Sequence, residues 1–259
     1  MLTKIRQVLY QAIYEAGDVI LRHYGNVRKI EYKSTEFDVV TDADKESEST
    51  IIDIIRSNFS DHDILAEEKT GDVSGESEYR WIIDPIDGTT NFAHSMPIFS
   101  VSIGVEYKNQ IIMGGIYSPI NRELFFAERG EGAWLNEKSI SVSNISELNK
   151  SLLVTGFPYD RSRIEHIIKY FSDILTHSHG VLRLGSAALD LCYVACGRLE
   201  GFWEFHLNPW DTAAGYLIVK EAGGRCTDFH GNEYSPYTRQ ILATNARIHD
   251  QLLDFLKQP

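Results

Sequence analysis

Apolar residues at Ile5, Val8, Leu9, Ala12, Ala16, Val19 and Ile20 recur at the spacing of one helix face, and the helix should stop near Gly25. A short strand is expected over residues 29–33. Thr41 reads as the N-cap of a second helix running through Glu48, Ile51, Ile52, Ile54 and Ile55. Short apolar runs at 64–66 and 81–83 each end directly on acidic residues. Residues 98–107 and 110–117 read as a hairpin across Lys108 and Asn109, with more strand at 124–128 and 133–135.

The second half predicts a strand over 152–155 and a helix over 164–175 with Ile167, Ile168, Phe171 and Ile174 inward. A helix over 186–196, a strand over 201–205 and a helix over 212–222, stopped by Gly223 and Gly224, follow. Strand 240–244 and helix 248–256 close the chain. With no internal repeat and no low-complexity linker, residues 1–259 read as one domain. The polar stretch 144–150 is its best internal boundary, between sub-halves 1–145 and 150–259. This mixture of helix and strand blocks predicts a layered α+β or mixed α/β fold.

A 259-residue chain with 43% hydrophobic and 24% charged residues can bury a core without disulfide staples. Its cysteines, Cys192, Cys196 and Cys226, are odd in number and form no C-x-x-C pair, so free thiols in a reducing compartment are expected. Neither a signal-peptide core nor an apolar run of membrane-spanning length is present, which predicts a cytoplasmic chain with no membrane partner. The net charge of −12 argues against a nucleic-acid partner. It does not exclude phosphate reached through metal ions.

The chemistry concentrates in Trp81-Ile82-Ile83-Asp84-Pro85-Ile86-Asp87-Gly88-Thr89-Thr90-Asn91-Phe92. Asp84 and Asp87, facing one point across a turn at Pro85, offer hard oxygen ligands to a cation such as Mg²⁺, and the Ile86 carbonyl can add another. No Lys or Arg lies between Trp81 and Tyr107 to neutralise the pair, so a metal is the economical counter-charge. Gly88 allows close backbone approach, and a helix starting near Thr89 would aim free N–H groups at an anion. Further acids stand in Ala66-Glu67-Glu68 and in Asn208-Pro209-Trp210-Asp211-Thr212. Taken singly, Glu68 and Asp211 are sufficiently explained as a loop acid and a turn or cap residue. His94 and His206 fall near this region; His177 and His179 lack a third ligand beside them.

Taken in order, Asp38-Val39-Val40-Thr41-Asp42-Ala43-Asp44, Glu67-Glu68, Asp84 to Thr89 with Asn91-Phe92, Gly185-Ser186-Ala187-Ala188, Trp210-Asp211 and Glu221-Ala222-Gly223-Gly224 resemble the inositol monophosphatase family. That family lies within the fructose-1,6-bisphosphatase-like metal-dependent sugar phosphatases, and the resemblance covers nearly the whole chain. It implies an αβαβα sandwich, a homodimer, and Mg²⁺-dependent hydrolysis of inositol monophosphate or a related polyol phosphate, with two or three ions per site. By the same resemblance, Glu67, Asp84 and the Ile86 carbonyl hold one ion, and Asp84, Asp87 and Asp211 a second. A third sits near Glu67. Glu67 and Thr89 would orient the attacking water, with Thr41 and Asp44 positioning Thr89. Asp87 lies beside the phosphate, which the N–H groups of Gly88 and Thr89 would receive. The alcohol would meet Gly185, Ser186, Ala187 and Glu204, with Arg183 a further candidate contact. Glu204 reads equally well as an ordinary strand-end acid. Gly156-Phe157-Pro158-Tyr159 resembles the bacterial subgroup and would shape the pocket or a dimer contact.

Two departures stand out. Ala66 occupies a position where the family usually has Gly, which matters if that residue needs φ > 0. Residues 69–78 form a polar loop expected to order with metal. The haloacid-dehalogenase turn, Asp-x-Asp-Gly-Thr, differs in spacing from the one here. Alternatives on the same scaffold are fructose-1,6-bisphosphatase, histidinol-phosphatase and 3′(2′)-nucleotide or NADP phosphatase. The non-enzymatic alternative is a regulatory or scaffold protein that keeps the fold.

Overall fold

The computed structural model describes residues 1–26, 30–32, 39–68, 75, 77–158 and 164–257. Helix α1 (Leu2–His23) leads to the short antiparallel pair β1 (Ile30–Tyr32) and β2 (Val39–Thr41), then α2 (Asp42–Asn58). The first half continues with β3 (Asp63–Ala66), β4 (Tyr79–Asp87), α3 (Thr89–Ala93), β5 (Ser100–Tyr107), β6 (Gln110–Ser118), β7 (Glu123–Glu128), β8 (Gly132–Leu135) and β9 (Lys138–Ser139). The second half comprises β10 (Leu152–Thr155), α4 (Ile164–Leu175), β11 (Gly180–Leu182), α5 (Ala187–Ala195), β12 (Gly201–Phe205), α6 (Pro209–Glu221), β13 (Arg225–Thr227), β14 (Gln240–Thr244) and α7 (His249–Leu256).

Among the described residues, β3 to β9 pair in chain order into one sheet, and a second sheet runs β11-β10-β12-β14-β13. Stretch 144–150 falls between them. Side-chain alternation along the strands stacks the layers. In β4, Trp81 and Ile83 face α1 and α2, where they meet Ile5, Leu9, Ile51 and Ile55. Ile82, on the opposite face, packs with Leu189 of α5 and Leu217 of α6. The second sheet closes the sandwich: Val154, Phe202 and Ile241 turn to α5 and α6, while Leu153, Trp203 and Leu242 turn to Ile174 of α4 and Leu252 of α7. The expected αβαβα sandwich is the fold.

Four readings are corrected. The chain does not turn at Pro85: β4 continues to Asp87, pairing Asp84 with Ser102 and Asp87 with Ser100 around a bulge. Pro85 has no N–H to donate, which suits it to the irregular position. Ile168 is 53% exposed, because α4 buries a narrow stripe centred on Ile167 and Ile174. Strands β2, β9, β11 and β13 are absent from the sequence reading, since two or three residues carry no readable alternation. Finally, Ala66 is a regular β3 residue paired with Ile83, with no positive φ. The Gly-to-Ala departure is therefore accommodated. Most of residues 69–78 lie outside the described residues, as does Tyr159.

Candidate active site

The bulge in β4 is what brings Asp84 and Asp87 together. Residues three apart on a regular strand point to opposite faces, and one extra residue re-phases the alternation. Asp84, Asp87 and Asp211 each then offer a carboxylate oxygen within 4.8 Å of the others. Glu67 joins them where β3 ends: its N–H donates to the Ile83 carbonyl, and its carboxyl is hydrogen-bonded to that of Asp84.

Each acid is also held by the backbone. Asp84 Oδ1 accepts the Ile86 N–H at 3.0 Å. Asp87 lies at the start of α5, accepting the Ser186 hydroxyl and the N–H groups of Ala187 (3.2 Å) and Ala188 (3.1 Å). Such donors at a helix N-terminus favour an anion. Asp211 Oδ2 accepts the Asn208 N–H at 2.6 Å in the first turn of α6. The cap reading of Asp211 and the metal-ligand reading are thus compatible, one oxygen serving each.

Helix α2 supplies a polar wall. Asp44, Ser47 and Glu48, at i, i+3 and i+4, share one fully buried face, which Ile51 and Ile55 continue as apolar core. Asp44 Oδ2 accepts the N–H (2.7 Å) and hydroxyl (2.6 Å) of Thr41, and its Oδ1 lies 2.9 Å from Thr89 Oγ1. The Thr89 hydroxyl also stands 2.8 Å from the Ile86 carbonyl, so its one proton serves one acceptor at a time. Ser47 donates to the Pro85 carbonyl at 3.1 Å, and Glu48 accepts the Glu68 N–H at 2.7 Å. Gly88, at φ +93°, is required twice over: any Cβ there would lie 2.9 Å from the Ile98 carbonyl oxygen.

Glu67, Asp84, Ile86, Asp87, Gly88, Thr89 and Asp211 line a cavity of about 570 Å³ with Gly185, Ser186, Ala187, Arg183 and Glu204. Every site residue expected from sequence lines this cavity except Asp44, which touches the lining residue Thr89, and Thr41, which holds Asp44. His206 also lines it; His94 does not. Gly156, Phe157 and Pro158 form one wall.

Burial among like charges dominates the electrostatics. Desolvation, then Glu67, Asp87 and Asp211, raise Asp84 well above the carboxylate range. Asp211 is raised in the same way. Asp87 rises to about 6, burial outweighing its hydrogen bonds from Ser186 and Ala188. Asp44 reaches about 6 by burial. Glu204 reaches about 8, burial outweighing the pull of Arg183. An oxygen-only donor set of converging acids that oppose one another's ionisation fits a hard divalent cation.

Sequence reasoning missed Ser47, Glu48, Asp190 and Arg239, and gave Asn91 a place in the motif without a role. Asn91 donates to the Ile98 and Leu184 carbonyls, both at 2.8 Å, tying α3 to the strand end before Gly185. Ser47 and Glu48 could have been found from their helical spacing to Asp44. Asp190 could have been found as a lone acid in the otherwise apolar α5.

The model of the "Inositol monophosphatase family" matches residues 1–258. An inositol-1-monophosphatase from Synechocystis is 44% identical over 95% of this chain and 86% of its own length. A protein named Nus factor SuhB, from Haemophilus influenzae, is 42% identical over 96% of this chain and 94% of its own. The solved inositol monophosphatase from Anabaena superposes with a TM-score of 0.89, at 42% identity, covering 99% of this chain and 96% of that one.

Proposed function

Because the chain belongs to the inositol monophosphatase family, we propose that it is a Mg²⁺-dependent phosphatase that hydrolyses inositol 1-phosphate, or a closely related polyol phosphate, by direct attack of water. The observation that carries the reading is the convergence of Asp84, Asp87 and Asp211 on one point beside Gly88 and Thr89.

Glu67, Asp84, Asp87, Asp211 and the Ile86 carbonyl would hold two or three Mg²⁺ ions. Bound there, the ions supply positive charge for the phosphate and for the oxygens that attack and leave. The protein's own residues do the rest. Asp44, locked by Thr41, accepts the hydrogen bond of the Thr89 hydroxyl, which frees the Thr89 oxygen to accept from the attacking water. Thr89 and Glu67 orient the attacking water and Glu67 takes its proton, while the departing alcohol oxygen takes a proton from solvent water. The N–H groups of Gly88 and Thr89 receive the phosphate. Gly185, Ser186, Ala187 and Glu204 meet the alcohol, with Arg183 beside them. A homodimer belongs to the same proposal; Ile168 of α4 and Leu182 of the edge strand β11 are exposed apolar side chains that such a contact would cover.

Phosphate release from inositol 1-phosphate, fructose 1,6-bisphosphate, histidinol phosphate, a nucleoside 3′-phosphate and NADP, with and without Mg²⁺, tests the reading. The expected result is Mg²⁺-dependent turnover fastest on inositol 1-phosphate. Faster turnover of another ester would reassign the substrate. The similarity to a protein named Nus factor favours a second reading, a regulatory or scaffold role on the same fold. A folded, Mg²⁺-loaded chain inactive on all five esters would make that the primary one.

A further inference from the structure

We propose that Asp190 determines specificity on the alcohol side of this pocket, its carboxyl reading a hydroxyl group of a polyol phosphate alongside Glu204. The inference rests on the phosphatase reading above and extends it to a residue with no role there.

Helix α5 is apolar along almost its whole length, and Asp190 is its single charged residue. The side chain is 1% exposed, yet Oδ1 has no hydrogen-bond partner. Leaving a buried carboxyl unsatisfied is costly, and native folds seldom keep one without a reason. Asp190 nevertheless lines the cavity, with Glu204 and Arg183. It lies one helical turn beyond the cap Ser186, about 6 Å along the axis. Its charged neighbours are Glu204, Asp87 and Arg183, so it stands between the acid cluster and the groups proposed to meet the alcohol.

The neighbouring groups are arranged for a guest rather than for one another. The Arg183 guanidinium lies over Gly185, where any Cβ would collide with it. The Glu204 carboxyl occupies the space left by the missing side chain of Gly156. Among the described residues, neither group has a hydrogen-bond partner for its side chain. Burial, then Glu204 and Asp87, raise Asp190 well above the carboxylate range, and Arg183, the positive charge beside it, pulls the other way. A carboxyl pair with one shared arginine can both accept and donate, which suits neutral hydroxyl groups better than a second cation. Sites built to hydrogen-bond a substrate hydroxyl discriminate strongly against analogues that lack it.

The test compares kcat and KM of the full-length Mg²⁺-loaded wild type, Asp190→Ala and Asp190→Asn on inositol 1-phosphate and on p-nitrophenyl phosphate, whose alcohol carries no further hydroxyl. Asp190→Ala should raise KM for inositol 1-phosphate about tenfold or more and leave p-nitrophenyl phosphate turnover nearly unchanged. Asp190→Asn, which preserves volume and can donate and accept, should recover most of that loss and shows whether the position tolerates change. An equal loss on both esters in folded protein, or no loss on either, overturns the proposal. Wild type inactive on both esters overturns the phosphatase reading itself, and this inference with it.

Discussion

The Asp87 carboxylate accepts the Ala188 N–H at 3.1 Å, so one acid of the metal-type cluster also supports, beside the cap Ser186, the first turn of a helix about one hundred residues further along the chain. The two roles separate by substitution. Asp87→Asn and Asp87→Ala remove the same charge, but only Asn keeps an acceptor for α5. Denaturant unfolding of the metal-free proteins should therefore find the Ala variant less stable by about 1 kcal/mol, the usual worth of a cap. Both variants should lose phosphate release.

Asp84→Asn and Asp211→Asn should trade function for stability. Each removes a buried charge that opposes its neighbours' ionisation. In the absence of divalent ions, both should melt higher than wild type near pH 8. Both should also lose the Mg²⁺-induced rise in Tm and the hydrolysis of inositol 1-phosphate. Near-full activity in Asp84→Asn would defeat the metal assignment.

Stability and Mg²⁺ response should move in opposite directions with pH. Asp44 and Asp87 titrate near pH 6 in the folded protein and Glu204 near 8, all above their unfolded values. Between the unfolded and folded pKa the native state binds more protons, so these groups weaken the fold as pH rises from about 4 to about 8. Below pH 6.5 the buried His249, held down to about 4, acts in the opposite sense. Differential scanning calorimetry should therefore show an increment in Tm from Mg²⁺ that grows between pH 5.5 and 8, because the ions displace protons from the acids.

Ala66→Gly restores the residue the family usually carries. Ala66 is fully buried in β3 with an ordinary strand backbone. Glycine there should cost about 1 kcal/mol in unfolding experiments and leave kcat unchanged. A gain in activity would show that β3 ends differently when the metals are bound.

Much of this architecture is legible in the sequence because long elements repeat their pattern. Helix α1 shows its buried stripe over five turns, and β5 and β6 announce their hairpin at Lys108 and Asn109. The acids of the site were legible because two carboxylates three residues apart, with no cation nearby, need an explanation. The bulge that makes them converge was not, since a strand interrupted by Pro85 reads as a turn. Ser47, Glu48 and Asp190 escaped notice for a different reason. Polar residues inside a helix are ordinarily solvent-facing, and the signals that these are enclosed, the spacing from Asp44 and the apolar run around Asp190, are easily passed over until the packing of α2 and α5 is seen. The three-residue strands β11 and β13 depend wholly on neighbours for their pairing, so nothing local marks them.

The polar stretch at 144–150 separates the chain's sheets but divides the site as well. Glu67, Asp84 and Asp87 lie on one side of it, and Ser186, Glu204 and Asp211 on the other. The cluster of Asp84, Asp87 and Asp211 draws on both portions, so neither portion by itself carries the whole proposed site. A backbone break at this joint would leave two fragments whose reunion is reported by catalysis itself. Hydrolysis is expected only where both sides of the joint are assembled together.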